Sequence, residues 1–317
     1  MPAIAASSPT ARHDDRSPDV SAVVIATVET DSAAAARRHG HRRFRPAGLL
    51  LAIPAILFLA IFFVLPMAAM VGRTFSGSGW AIYGRVLMDP LYSGVFLRSV
   101  WIAAQVTLID LIVAYPLAYY LTTLSPRARL LGVFFVLLPF WSSQLVRTYA
   151  WTVILGRNGV INQVFLGLGI VDEPLRLLNT ELAVLLGSVH VMLPFMVLPL
   201  FANMMKIDPD LLRAAGLFGA GIWKTFLRVH LPLCRVGIAA GVSLVFIITL
   251  GSFTNAAVLG GGRVIMIALL IEQQVRQLSN WAMAGALATV LLVVTLVIHW
   301  AANRLIGGPS EKRSVGL

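Results

Sequence analysis

The 317-residue chain carries few side chains able to do chemistry, and their spacing excludes most reactions. Of its three lysines, Lys206, Lys224 and Lys312, only Lys224 precedes a hydroxyl residue, Thr225. Trp223 stands before that pair, so the chain has no phosphate-binding P-loop of its own. The six histidines include no His-Glu-x-x-His, and no ligand set has metal spacing. Cys234 is the sole cysteine, which excludes an intrachain disulfide. No acid pair or nucleophile–base set supports a membrane-embedded enzyme.

What remains is a small group of polar and aromatic residues in apolar surroundings. Asp110 interrupts a long apolar run, where an acid is costly and by default functional. It contacts either a cationic solute or a neighbouring helix. Trp141, Tyr149 and Trp151 cluster near one span end; such rings cage an ammonium by cation–π contact or anchor the chain at the membrane interface. Asp110, Trp141, Tyr149 and Asn255 are therefore the candidate translocation-pathway residues. Glu181 and Glu272 stand at the rim, available to a polycation or simply to water. His190 and His299 read as helix–helix hydrogen-bonding groups, and Gly237-x-x-x-Gly241 as a close-packing stripe.

The elements that position these groups are membrane spans. The chain is 58% hydrophobic and 12% charged, beyond what a soluble core of this size can hide. Its mean hydropathy is +0.84. The reading is all-α and polytopic, with six candidate spans: 49–71, 99–121, 130–146, 182–205, 236–254 and 281–302. Residues 1–45 read as a disordered basic cytoplasmic tail, 46–305 as the permease domain and 306–317 as a second cytoplasmic tail. Placing the N-terminus in the cytoplasm puts 17 of the 25 Lys and Arg residues on the inner side, so both termini are expected inside. This distribution also accounts for the net charge of +11 without nucleic acid. The outer segments 147–181 and 255–280 contain apolar stretches too short to span, either interfacial or re-entrant.

The inner loop 206–232 is the informative segment. Asp208 can cap a helix that begins at Pro209, Gly219 and Gly221 let it end, and a second short helix, 222–230, follows before Pro232. A solvated loop gains nothing from Phe218, Trp223 and Phe226, so a protein partner is expected. The run Arg213-Ala214-Ala215-x-x-x-Gly219-Ala220, with Phe226 and then Leu231-Pro232-Leu233, resembles the EAA loop of ABC-importer permeases. Arg213 stands where that family usually has Glu. Further elements follow in the family's order: Tyr115-Pro116-Leu117-Ala118-Tyr119, Leu138-Pro139-Phe140-Trp141, Gly159-x-x-Asn162, Leu193-Pro194-Phe195 and Asn280-Trp281. The series is similar to the spermidine/putrescine-type branch, in the first of its two permeases, and covers about residues 49–305.

The resemblance implies a type I ABC-importer permease fold in a bacterial inner membrane. It implies two ATPase subunits that bind ATP and Mg, a second and different permease, and an extracytoplasmic solute-binding protein. This chain itself would hold no cofactor and no metal. Arg213, Ala214, Ala215, Phe218, Gly219, Trp223, Phe226 and Pro232 would form the ATPase-coupling loop. The implied solute is a polyamine, with amino acids, opines and aminophosphonates as alternatives. A secondary transporter would need paired intramembrane ionisable residues and internal repeats, for which only Asp110 and two isolated histidines are available.

Overall fold

The computed structural model describes residues 46–75 and 79–306. The expected tails at 1–45 and 306–317 lie outside the described residues, except that Ile306 is the last residue of the final helix. The chain divides into two compact units, Met1–Pro66 and Met67–Leu317.

The first unit contributes helix α1 (Pro46–Leu59) and a π-turn at Ala60–Val64. The next helix, α2 (Leu65–Phe75), continues the same helical run. The π-turn has a local cause: Pro66 has no N–H, and its ring crowds the carbonyl four residues back. The turn widens instead, and the Leu65 N–H bonds to the Ala60 carbonyl.

The second unit is built on α4 (Pro90–Thr123), α8 (Glu181–Met204) and α12 (Arg235–Gly251), which pack against one another. Helix α4 begins with a proline capped by Asp89, whose carboxylate accepts the Leu91 N–H at 2.9 Å. It ends at Thr123, where Arg129 donates to the Leu121, Thr122 and Leu124 carbonyls. A cation on the last carbonyls of a helix satisfies them and complements the dipole. The core joins Ile102, Val106, Ala114 and Ala118 to Val184, Val191, Met196 and Val245. Around these helices lie α3 (Trp80–Met88), α14 (Ile267–Arg276) and α15 (Trp281–Ile306), which share a second cluster at Ile82, Val86, Ile267 and Leu287.

Four helical segments are long and apolar enough to span unbroken: Ile53–Thr74, Pro90–Thr123, Glu181–Met204 and Trp281–Ala301. The other two expected spans are bent pairs, which corrects their sequence boundaries. The third stops as α-helix at Leu137 (α5, Pro126–Leu137) and tightens into a 3-10 turn at Leu138–Trp141. It restarts as α6 (Gln144–Leu155) and α7 (Val160–Gly167), and the two parts meet at 91°. Pro139 cannot continue the hydrogen-bond ladder, and Ser142 and Ser143 adopt extended ψ values of 145° and 139°. The fifth span, α12, begins at Arg235 rather than Val236 and ends at Gly251. A separate short helix, α13 (Thr254–Leu259), carries Asn255.

The Gly237-x-x-x-Gly241 stripe does bring helices close. A Cβ on Gly237 would lie 2.7 Å from the Asn203 Cβ, and one on Gly241 would lie 2.7 Å from Met196 Sδ. Only glycine allows α12 to approach α8 this closely.

Candidate functional site

The loop between α8 and α12 folds into short helices as its caps dictate. Asp208 accepts the Asp210 N–H at 2.9 Å and Pro209 opens α9 (Pro209–Leu217). Helix α9 ends in a Schellman turn: the Ala220 N–H bonds to the Ala215 carbonyl at 3.1 Å and the Gly219 N–H to the Gly216 carbonyl at 3.0 Å. Gly219 supplies the left-handed residue that this turn needs, with φ +76°. Ala215 and Gly219 of the sequence motif are thus two ends of one helix-stop. Arg213 reaches back one turn to Asp210 at 2.7 Å, and both side chains are about three-quarters exposed. Such an exposed pair adds little to stability.

The turn presents an apolar tip. Leu217, Phe218, Ile222 and Trp223 are 89%, 91%, 88% and 77% exposed. They are adjacent on the α9–α10 corner, with α10 spanning Ile222–Thr225. Their position beside Lys224 and Arg228, in the loop between two spans, distinguishes them from the apolar residues of the spans.

Beyond the tip, the expected single helix 222–230 is three pieces: α10, a π-turn at Phe226–His230 and α11 (Leu231–Leu233). Pro232 opens this π-turn as Pro66 opens the first one, and the Leu231 N–H bonds to the Phe226 carbonyl. The segment then bends 65° into α12. The bend falls after Leu233, two residues later than Pro232 would place it, because Pro232 itself sits inside the short helix α11. Phe226 packs edge-on against Tyr115 of α4, with ring centroids 5.6 Å apart. His230 is 5% exposed and shares a 2.7 Å hydrogen bond with the Tyr115 hydroxyl. Its ring also meets Tyr119 edge-on at 5.1 Å. His230 escaped the sequence reading, although the i, i+4 spacing of Tyr115 and Tyr119 was a signal that both face one neighbour.

The pathway candidates separate. Trp141 and Tyr149 are exposed, 72% and 58%, on either side of the 91° bend. Asp110 is fully buried on α4, and neither carboxylate oxygen has a hydrogen-bond partner. Asn255 is buried in a polar chain: it accepts from Thr148 Oγ1 at 2.9 Å and donates to Ser188 Oγ at 3.2 Å. That chain ties α13 to α6 and α8. At the rim, Glu181 is paired with Arg98 and Glu272 with Arg276, so each carboxylate has a cation beside it. His190 accepts from Trp151 Nε1 at 3.3 Å, a bond between α6 and α8. Among the described residues no group of three metal-ligand side chains converges.

Asn162 is a second residue whose part only the fold shows. Fully buried, it donates to the Gly156 and Leu175 carbonyls and accepts the Leu175 N–H at 2.8 Å, pinning the 168–177 segment onto α7.

An α-helical bundle with bent third and fifth spans and a helical loop before the fifth has the architecture of an ABC-importer permease. A chain of a bacterial alginate ABC transporter, solved with its alginate-bound periplasmic protein, superposes with a TM-score of 0.68 at 19% identity, covering 81% of this chain and 92% of that one. No family model matches the sequence. The spermidine/putrescine transport system permease protein PotB of Haemophilus influenzae is 38% identical over 228 residues, 71% of this chain and 80% of that protein. PotB of Escherichia coli is 34% identical over 266 residues, 80% of this chain and 97% of that protein. The inner membrane ABC transporter permease protein YdcU of Escherichia coli is 31% identical over 237 residues, 70% and 74% of the two chains. The chain belongs to the PotB-type branch of the ABC-importer permeases. It is a membrane transport subunit and not an enzyme, and ATP hydrolysis falls to a separate ATPase chain.

Proposed function

We propose that this permease carries a polyamine of the spermidine/putrescine class, and that loop 206–232 is where the ATPase engages it. The substrate class rests on the two PotB relatives, which are named for that transport. The coupling role rests on one observation, the exposed tip Leu217–Phe218–Ile222–Trp223 held on a Schellman turn. Four large apolar side chains at an exposed loop corner are expensive to leave in water, at about 25 cal/mol per Å² of apolar surface. A groove on an ATPase subunit would cover them.

In the full assembly, two ATPase chains bind ATP and Mg, a second and different permease completes the pathway, and an extracytoplasmic protein delivers the solute. Both termini face the cytoplasm, a reading supported by Arg127, Arg129 and the five basic residues of 206–235. Transport is by alternating access. ATP binding draws the ATPases together, the loops move with them, and the spans open outward; hydrolysis resets them. The solute must bind the two states differently, or it shifts nothing. Trp141 and Tyr149 are exposed on the single chain, where solute, lipid or the second permease would meet them; Asp110 and Asn255 become accessible only if the bundle rearranges.

The decisive experiment reconstitutes the complex in vesicles and measures solute-stimulated ATPase activity over polyamines, amino acids, opines and aminophosphonates. Stimulation by spermidine or putrescine supports the reading. Stimulation by another class alone replaces the substrate but keeps the mechanism. Transport driven by an ion gradient without ATP refutes it.

A further inference from the structure

One cluster, buried at His230 and Cys234, is not explained by ATPase docking. Tyr115 and Tyr119 lie on α4, whereas Phe226, His230 and Cys234 belong to the segment leading from the loop into α12. Loop and α4 are more than a hundred residues apart in sequence. Yet the Tyr115 hydroxyl and His230 Nδ1 are 2.7 Å apart, and His230 Nδ1 is also 3.6 Å from Cys234 Sγ. The Phe226 ring stacks on His230 at 17° and meets Tyr115 edge-on. Trp223, on the exposed tip, touches Phe226 edge-on at 6.3 Å between centroids. A chain of rings therefore runs from the exposed tip to the half-buried Tyr115 and the exposed Tyr119 of α4.

The geometry of that chain suits transmission. Chain connectivity alone would carry a push on the tip into α12, across the 65° bend beyond Leu233. His230 lies four residues before Cys234 and is bonded to α4 instead. The widened turn at Phe226–His230 brings the Phe226 and His230 rings onto one side, facing Tyr115 and Tyr119. Hollows of about 560 Å³ and 360 Å³ flank Phe226, one lined by Leu111, Tyr115, Pro116 and Ile238, the other by Leu212, Gly216 and Thr225. The tip therefore has room to swing on either side of Phe226, while the half-buried hydrogen bond at His230 holds its base to α4. Pro116, between the two tyrosines, removes one N–H from the α4 ladder and weakens the helix where the load arrives.

We propose that Tyr115 and His230 are positioning residues for coupling: their hydrogen bond is the latch that transmits loop movement to α4 as well as to α12. The proposal rests on the coupling role given to the loop above. The test uses the complete transporter in vesicles and reads solute moved per ATP hydrolysed. Tyr115→Phe keeps the ring and removes only the hydroxyl. It is expected to lower that ratio about fivefold, the scale of one buried hydrogen bond. His230→Ala should lower it similarly. The double variant should be no worse than either single one, because both remove the same bond. His230→Gln, which can still hydrogen-bond to the hydroxyl, should restore at least half of the ratio.

A merely structural role would lower the melting temperature of the complex and leave the ratio unchanged, and that result overturns the proposal. Additive single effects, or no rescue by His230→Gln, overturn it equally. Co-purification of the ATPase separates this failure from failure of the underlying reading. If the ATPase stays bound to Tyr115→Phe and the ratio is normal, the latch is wrong. If ATPase binding is unaffected by Trp223→Ala and Phe218→Ala, the docking role of the loop is wrong.

Discussion

Gly219 offers the sharpest perturbation, because its structural cost separates cleanly into backbone and space. Its φ is +76°, and no atom lies within 4 Å of where a Cβ would sit. Replacing it by Ala therefore introduces no clash; it costs only the strain of an L-residue in the left-handed region, about 1–2 kcal/mol. That strain lowers the population of the formed tip by a factor of roughly 5–30 relative to the frayed one. If the formed Schellman turn is what the ATPase grips, apparent affinity for the ATPase should fall, by up to the same factor where the free turn is only marginally formed. Asn tolerates the left-handed region better than other side chains, so Gly219→Asn should recover most of the loss. Gly216 is the internal control. It too has an open Cβ position but lies inside α9, where Ala is favoured over Gly by about 0.5–1 kcal/mol. Gly216→Ala should therefore bind the ATPase as well as the parent or better. The assay is ATPase titration onto detergent-purified permease complex, followed by solute uptake in vesicles. All three variants should insert and melt like the parent, because the tip is exposed. Equal affinity of Gly219→Ala, Gly219→Asn and the parent would refute the argument that the turn geometry governs docking.

Four further outcomes are expected. Trp223→Ala and Phe218→Ala should each reduce co-purified ATPase severalfold without changing permease yield, since both side chains are exposed in the isolated chain. Gly237→Ala should lower the melting temperature, by the equivalent of about 1–3 kcal/mol, because its Cβ would press on the Asn203 Cβ and the Pro199 carbonyl; Gly167→Ala, with open space around it, should not. Asn162→Ala strands the Leu175 N–H and two carbonyls, and should cost about 1–3 kcal/mol and make the 168–177 segment sensitive to protease. Asp110→Asn should leave the solute KM within about twofold of the parent, as expected for a group that the solute does not reach in this conformation; a tenfold rise would make Asp110 a solute contact.

What the sequence determined by itself is whatever depends on residues within a few positions of each other. Apolar runs placed three of the four unbroken spans to within a few residues, because a segment that cannot leave backbone groups unsatisfied in lipid must be helical; the second, expected over 99–121, begins nine residues earlier at Pro90 and carries Arg98 and Asp110. Asp208-Pro209 fixed a helix start, and Gly219 a helix stop, through contacts no more than five residues apart. The apolar tip was legible for the same reason: Phe218 and Trp223 are large apolar side chains in a loop outside the spans. The bends were not legible. Leu-Pro occurs at 65–66, 138–139, 193–194, 198–199 and 231–232, yet the first and last give π-turns, the second a 91° corner, and the two inside α8 no break in the helix. Proline states only that a hydrogen bond is missing; what replaces it depends on which neighbours satisfy the freed carbonyl. Nor could sequence spacing reveal the longer pairings. Tyr115 with His230, Thr148 with Asn255 and Arg98 with Glu181 are 115, 107 and 83 residues apart. Such contacts exist because α4 packs against α8 and α12 and α13 packs against α6 and α8, and only that packing turned a Tyr-Pro-x-x-Tyr pattern and an overlooked histidine into one connection.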